Sequence, residues 1–131
     1  MPLLKFLVLI FVVIGIGGCH RSEPVYTVTD EKIPAVAQQG SVETVKATII
    51  QAAIDKGWRI QEIGPGELQA TVAWKDHSAT SNIFYSLKNY SITLDSSKNL
   101  KEQNGTIHRN YTQAVQALEN EIDKRLYQIA R

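Results

Sequence analysis

The chain has 131 residues, 21% of them charged and 44% hydrophobic, with a single cysteine. That length suits one domain, and a lone cysteine excludes an internal disulfide framework and a cysteine-rich zinc site. With a formal charge of only +1, the chain lacks the basic excess of a duplex binder, and no nucleic-acid partner is expected.

The first segment reads as an address. Met1 to Lys5 carries one positive side chain, and Phe6 to Ile16 is uncharged and apolar except for Gly15. A charged start, a short apolar run and small residues after it make a secretory signal. A bilayer-spanning helix takes about 20 apolar residues, more than this run offers. Gly15, Gly17 and Gly18 would break the end of a buried helix.

The segment closes on Ile16-Gly17-Gly18-Cys19. This resembles the lipobox of bacterial lipoproteins: an aliphatic residue, two small residues, then cysteine. The resemblance covers residues 1–19, with Ile16 where Leu is commoner and Gly17 where Ala or Ser is commoner. It implies cleavage between Gly18 and Cys19, and a diacylglyceryl group on the Cys19 thiol, often with a further acyl chain on the new amino group. Several chains anchor stably where one binds marginally, at about 0.8 kcal/mol per buried methylene. The alternative is a stray thiol in a signal cut elsewhere. By the same resemblance, His20 in place of Asp favours sorting to the outer membrane, facing the periplasm.

Residues 20–40 show no sustained period and contain Pro24, Pro34 and Gly40. They read as an extended tether, with Val25, Tyr26 and Val28 leaving an edge strand open. Ser41 then caps a helix predicted over Val42–Lys56, with Glu43 in its first turn and Gly57 just past its end. Val42, Val45, Ile49, Ile50, Ala53 and Ile54 recur at helical spacing.

Strands follow. Trp58 and Ile60 alternate with polar neighbours, and Gly64-Pro65-Gly66 is a turn. Leu68, Ala70, Val72 and Trp74 give the clearest period of two in the chain. Asp76-His77-Ser78 reads as a loop and Asn82–Leu87 as the third strand. Lys88-Asn89 reads as a hairpin turn, followed by Tyr90, Ile92 and Leu94 on a fourth strand. Ser96–Gly105 is polar and turn-rich. A second helix is predicted over Ile107–Ala130, capped by Thr106. Its stripe is Ile107, Tyr111, Ala114, Val115, Leu118, Ile122, Leu126 and Ile129. Glu121 and Arg125 form an i,i+4 pair in the favourable order.

The expected fold is a single small α+β domain over 41–131, in the order α-β-β-β-β-α. Its sheet is an antiparallel meander with both helices on one face. The other face would show Arg59, Gln61, Gln69, Thr71, Lys75, Asn82, Phe84, Ser86, Ser91 and Thr93, polar but nearly uncharged. The run Tyr90-Ser91-Ile92, Ser96-Ser97, Asn99-Leu100 and Ile107 to Tyr111 resembles a group of short bacterial lipoproteins of no assigned function. That likeness covers about 40–130 and implies no catalytic residues.

Few residues stand at spacings that chemistry requires. His20, His77 and His108 are far apart, and none sits beside a second ligand at metal spacing. Asp76-His77 could be a base and its orienter, but neighbouring strand-end residues usually point apart. No nucleophile elbow or phosphate loop is present. Glu119 and Glu121 face different ways on a helix. No enzyme activity, metal or cofactor is expected.

Two readings stay open. One is an interaction module whose partner is an envelope protein or cell-wall polymer. Its candidate face centres on Arg59, Thr71 and Phe84, and a candidate anion contact lies at His108 and Arg109, where positive charge at a helix start is electrostatically odd. The other is a ligand carrier or enzyme with a pocket lined by Trp58, Trp74, Tyr85 and Tyr111.

Overall fold

The computed structural model describes residues 22–129. Gly18, Cys19 and His20 lie outside these, as does Ala130. The protein is α+β, with two helices, a five-stranded antiparallel sheet and a two-stranded one. In chain order the strands are β1 (Ser22–Pro24), β2 (Val28–Lys32), β3 (Arg59–Gly64), β4 (Glu67–Trp74), β5 (His77–Tyr85), β6 (Asn89–Lys98) and β7 (Thr106–His108). The helices are α1 (Val42–Asp55) and α2 (Arg109–Ile129), and Ala37–Gln39 form a 3-10 turn before α1.

The local chemistry of α1 explains its limits. Ser41 is extended and its Oγ accepts from the Thr44 N–H at 3.2 Å. Gly57 closes the helix at a φ of 89°, a conformation that side chains rarely adopt. Val45, Ile49, Ala52 and Ala53 are buried as the periodicity requires, whereas Val42 and Ile54 are exposed at the edges of the stripe.

In the large sheet β3, β4, β5 and β6 are neighbours in chain order, the meander that short connections impose. Gly66 makes the β3–β4 turn at a φ of 78°, where a Cβ would stand 3.2 Å from the Tyr85 carbonyl. Two strands are longer than expected. The 76–78 loop shrinks to Lys75-Asp76, because Trp74 pairs with His77 and Lys75 accepts a left-handed φ of 55°. β6 runs on to Lys98, opposite Ser78, after a register shift at Thr80/Ser81. The β5–β6 turn centres on Leu87-Lys88 rather than Lys88-Asn89: the Ser86 hydroxyl accepts from the N–H groups of both Lys88 and Asn89.

The largest correction concerns residues 20–40. Within the described part they are not a free tether. β2 pairs with β6 and becomes the fifth strand of the sheet. β1 pairs with β7, and the Val25 N–H donates to the Gly105 carbonyl at 3.0 Å. Val28, Ile33 and Ala37 join the core. Their polar neighbours and Pro24 hide a strand that gains its ladder from β6 rather than from its own pattern.

One hydrophobic cluster unites both helices with alternate residues of the sheet. Leu68, Ala70, Ile83, Tyr90 and Ile92 lie beneath Ile49, Tyr111, Val115, Leu118 and Ile122. The helices also touch each other: Arg125 of α2 bonds Glu121 at 2.7 Å and reaches the Asp55 carboxylate at the end of α1. Ser81 and Tyr111, both fully buried, satisfy each other's hydroxyls at 2.8 Å.

Candidate functional site

Register decides what the uncovered side of the sheet displays. Arg59, Thr71, Thr80 and Ser96 form one row across four strands. Gln61, Gln69, Asn82 and Thr93 form the next. Glu67, Phe84 and Ser91 lie beyond it. The Thr71 and Thr80 hydroxyls meet at 3.1 Å. The face is dominated by uncharged hydroxyl and amide groups, as expected from the alternation.

Arg59 and Thr71 are therefore direct cross-strand neighbours. Phe84 shares their face but lies four residues along β5 from Thr80, about 13 Å away at roughly 3.3 Å per residue. It is 44% exposed, with Glu67 and Ser91 as its cross-strand neighbours. The Gln69–Asn82 row separates the two ends of the face. A polar sheet face with one exposed ring offers the mix of polar groups and an aromatic anchor found at macromolecular contacts.

His108 and Arg109 lie elsewhere, and their setting differs from expectation. The sequence places both in the first turn of the last helix. Ile107 and His108 instead belong to β7, paired with β1, and α2 begins at Arg109. Thr106 is no helix cap: its hydroxyl donates to the Gln103 carbonyl at 2.7 Å. His108 takes up that role, with Nδ1 accepting from the Asn110 N–H at 3.1 Å. An accepting Nδ1 is an unprotonated one, so the imidazole complements the helix start instead of opposing it. Arg109 is exposed beside it.

Asp76 and His77 do come together, contrary to the expectation that neighbours point apart. His77 Nε2 lies 3.5 Å from Asp76 Oδ1, and Nδ1 donates to the Asn99 carbonyl at 2.6 Å. The ring also tilts against Trp74, with centroids 6.0 Å apart. Asn99 bonds back to the Asp76 carbonyl at 2.7 Å, and these bonds tie the β4–β5 turn to the end of β6. Of the four rings expected to line a pocket, Trp58 and Tyr111 are buried. Trp74 and Tyr85 line two separate grooves.

A group that sequence reasoning did not assemble sits at the β2 edge. Carboxylate oxygens of Glu31, Glu119 and Asp123 lie within 4.8 Å of one another, the one place among the described residues where three ligating side chains converge. Tyr26 donates to Glu119 and Tyr90 to Asp123, each at 2.6 Å. Glu119 and Asp123 are four apart on α2 and share a face, a signal the sequence does contain. Glu31 was not legible, because it lies in the stretch read as tether.

The chain matches no protein-family model and no curated protein. Among the described residues no helix is long and apolar enough to cross a membrane.

Proposed function

We propose that the protein is a membrane-anchored envelope lipoprotein that acts as a non-catalytic binding module. The observation that carries the binding role is the one-sided sheet. Both helices join a single core on one side, and the other side carries the mostly uncharged rows that lead from Arg59 and Thr71 to Phe84. The anchor rests on the lipobox-like Ile16-Gly17-Gly18-Cys19, with lipid on Cys19 and the domain held at the periplasmic side of the outer membrane. An envelope protein or a cell-wall polymer is the class of partner that a short-tethered face at a membrane can reach. The carrier or enzyme reading gains nothing from the four aromatic rings, which do not share a groove.

Phe84→Glu tests the reading. Phe84 is exposed, so the substitution is expected to shift stability by no more than about 0.5 kcal/mol. Placed at the centre of a contact, a charge would cost at least about 2 kcal/mol, a loss of roughly thirtyfold or more in affinity. Association with the envelope partner, followed by quantitative co-purification from detergent-solubilised cells, should fall accordingly while Tm stays fixed. Unchanged association for Phe84→Glu and for Thr71→Lys would refute the face as a binding surface.

A further inference from the structure

The seam between β2 and α2 brings together five titratable side chains from separate parts of the chain. Glu31 comes from β2, Tyr90 from β6, Glu119 and Asp123 from α2, and Tyr26 from the segment entering β2. One irregularity arranges them. The β2–β6 register slips between Val28 and Glu31, and Asp30 takes a left-handed φ of 48°. The Asp30 N–H bonds Ser91 Oγ at 2.9 Å. Such a bulge shifts which residue faces the core. Here it sets Glu31 opposite the buried Tyr90, facing the helix.

Both phenols are already committed, Tyr26 to Glu119 and Tyr90 to Asp123. They also stay protonated: the bond to Glu119 is the largest cause pushing Tyr26 up to about 12, and burial raises Tyr90. Among the described residues, no ion pair reaches Glu31, Glu119 or Asp123. Glu31 and Asp123 therefore bring carboxylate oxygens within 4.8 Å of each other, and no cation of the described chain stands beside them. Two carboxyls this close and away from any cation do not both ionise readily.

We propose that β2 is a pH-sensitive edge strand, latched to α2 by a proton shared between the Glu31 and Asp123 carboxyls. When that proton leaves for solvent, two negative charges oppose each other beneath the strand, with Glu119 beside them. No covalent bond changes. The strand loosens at its bulge, where the ladder is already interrupted, while the buried Val28 and Ile33 hold its two ends. The direction of titration agrees with the geometry. Glu31 is held at about 7, first by its hydrogen bond to Asp123, then by burial and by the charges of Asp123 and Glu119.

The sign follows from linkage. A carboxyl raised in the fold keeps its proton there longer than in the unfolded chain. The latch is therefore complete below the ordinary value of 4.5, weakens as pH climbs from there to about 7, and is gone above. This inference concerns the helix-covered edge and stands apart from the open-face reading.

Amide hydrogen exchange on the full lipidated chain in detergent micelles tests it, compared at about pH 5.5 and about pH 8 after correction for intrinsic exchange rates. Protection across β2 is expected to fall about tenfold between those conditions, while protection in β4 and β5 holds. Glu31→Gln carries no charge and still donates to Asp123, so it should remove the pH dependence. Asp123→Asn, which still accepts from Tyr90 and donates to Glu31, should remove it too. Protection of β2 that is independent of pH in the unmodified chain overturns the proposal. So does a pH dependence that survives both substitutions.

Discussion

Replacing Leu118 by alanine is expected to lower the unfolding free energy by about 2–5 kcal/mol. Leu118 is fully buried, at the middle of the α2 stripe, in the cluster that joins α2 to α1 and the sheet. The substitution removes apolar contacts and leaves a void that a close-packed interior fills only in part. The size of the domain magnifies the effect, because a small fold has a total margin of only about 5–15 kcal/mol. At several degrees per kcal/mol, Tm should drop by about 10 °C or more. Tyr127 on the same helix supplies the contrast. It is 67% exposed, and Tyr127→Ala should stay within about 0.5 kcal/mol of the unmodified protein. Thermal unfolding of the two variants side by side checks both numbers.

The second large effect belongs to the anchor. Cys19→Ala is expected to abolish incorporation of labelled palmitate and to leave the chain uncut at Gly18–Cys19. Cys19 is the sole thiol, so no other cysteine can take the lipid. On the proposed acylation, the substitution would remove a stable membrane attachment, since even one chain holds a protein only marginally. Mass spectrometry of the amino terminus reads the outcome directly. An unmodified chain that begins with an unacylated Cys19, or that is cut at another bond, would show that the segment is an ordinary secretory signal.

The regular parts of the fold could be read from the chain because local chemistry and burial agreed. Ser41, Glu43 and Gly57 bracket α1 as caps and dipole partners should, and the alternation from Leu68 to Val72 marks a strand buried on one side. The open face followed from the same alternation, which is why Arg59, Thr71 and Phe84 share it in the structure. What escaped depends on distant pairing. β2 has two acidic residues, a lysine and a bulge, and it becomes a strand only because β6 offers a free edge. β7 is three residues long and is drawn out of the predicted helix by pairing with β1. The carboxyl group at Glu31, Glu119 and Asp123 depends on the first of these pairings, since it needs β2 in the sheet and the bulge that turns Glu31 inward. Patterns of period two and 3.6 report on one element at a time and cannot show a contact between residues 31 and 123.

The same limit explains the histidines. His108 looked out of place at the start of a helix because its charge would oppose the dipole there. As a neutral acceptor for the Asn110 N–H it is a cap, and the oddity disappears. Arg109 keeps its exposed side chain next to it.

The most direct measurement of the open-face claim is photocrosslinking in intact cells, with a photoreactive residue at Phe84 and a control at the buried Trp58. The sheet face should yield a discrete adduct of defined mass from position 84, and the core position should yield none. An adduct-free position 84, in cells where the protein is present at its normal level, would contradict a binding role for this face.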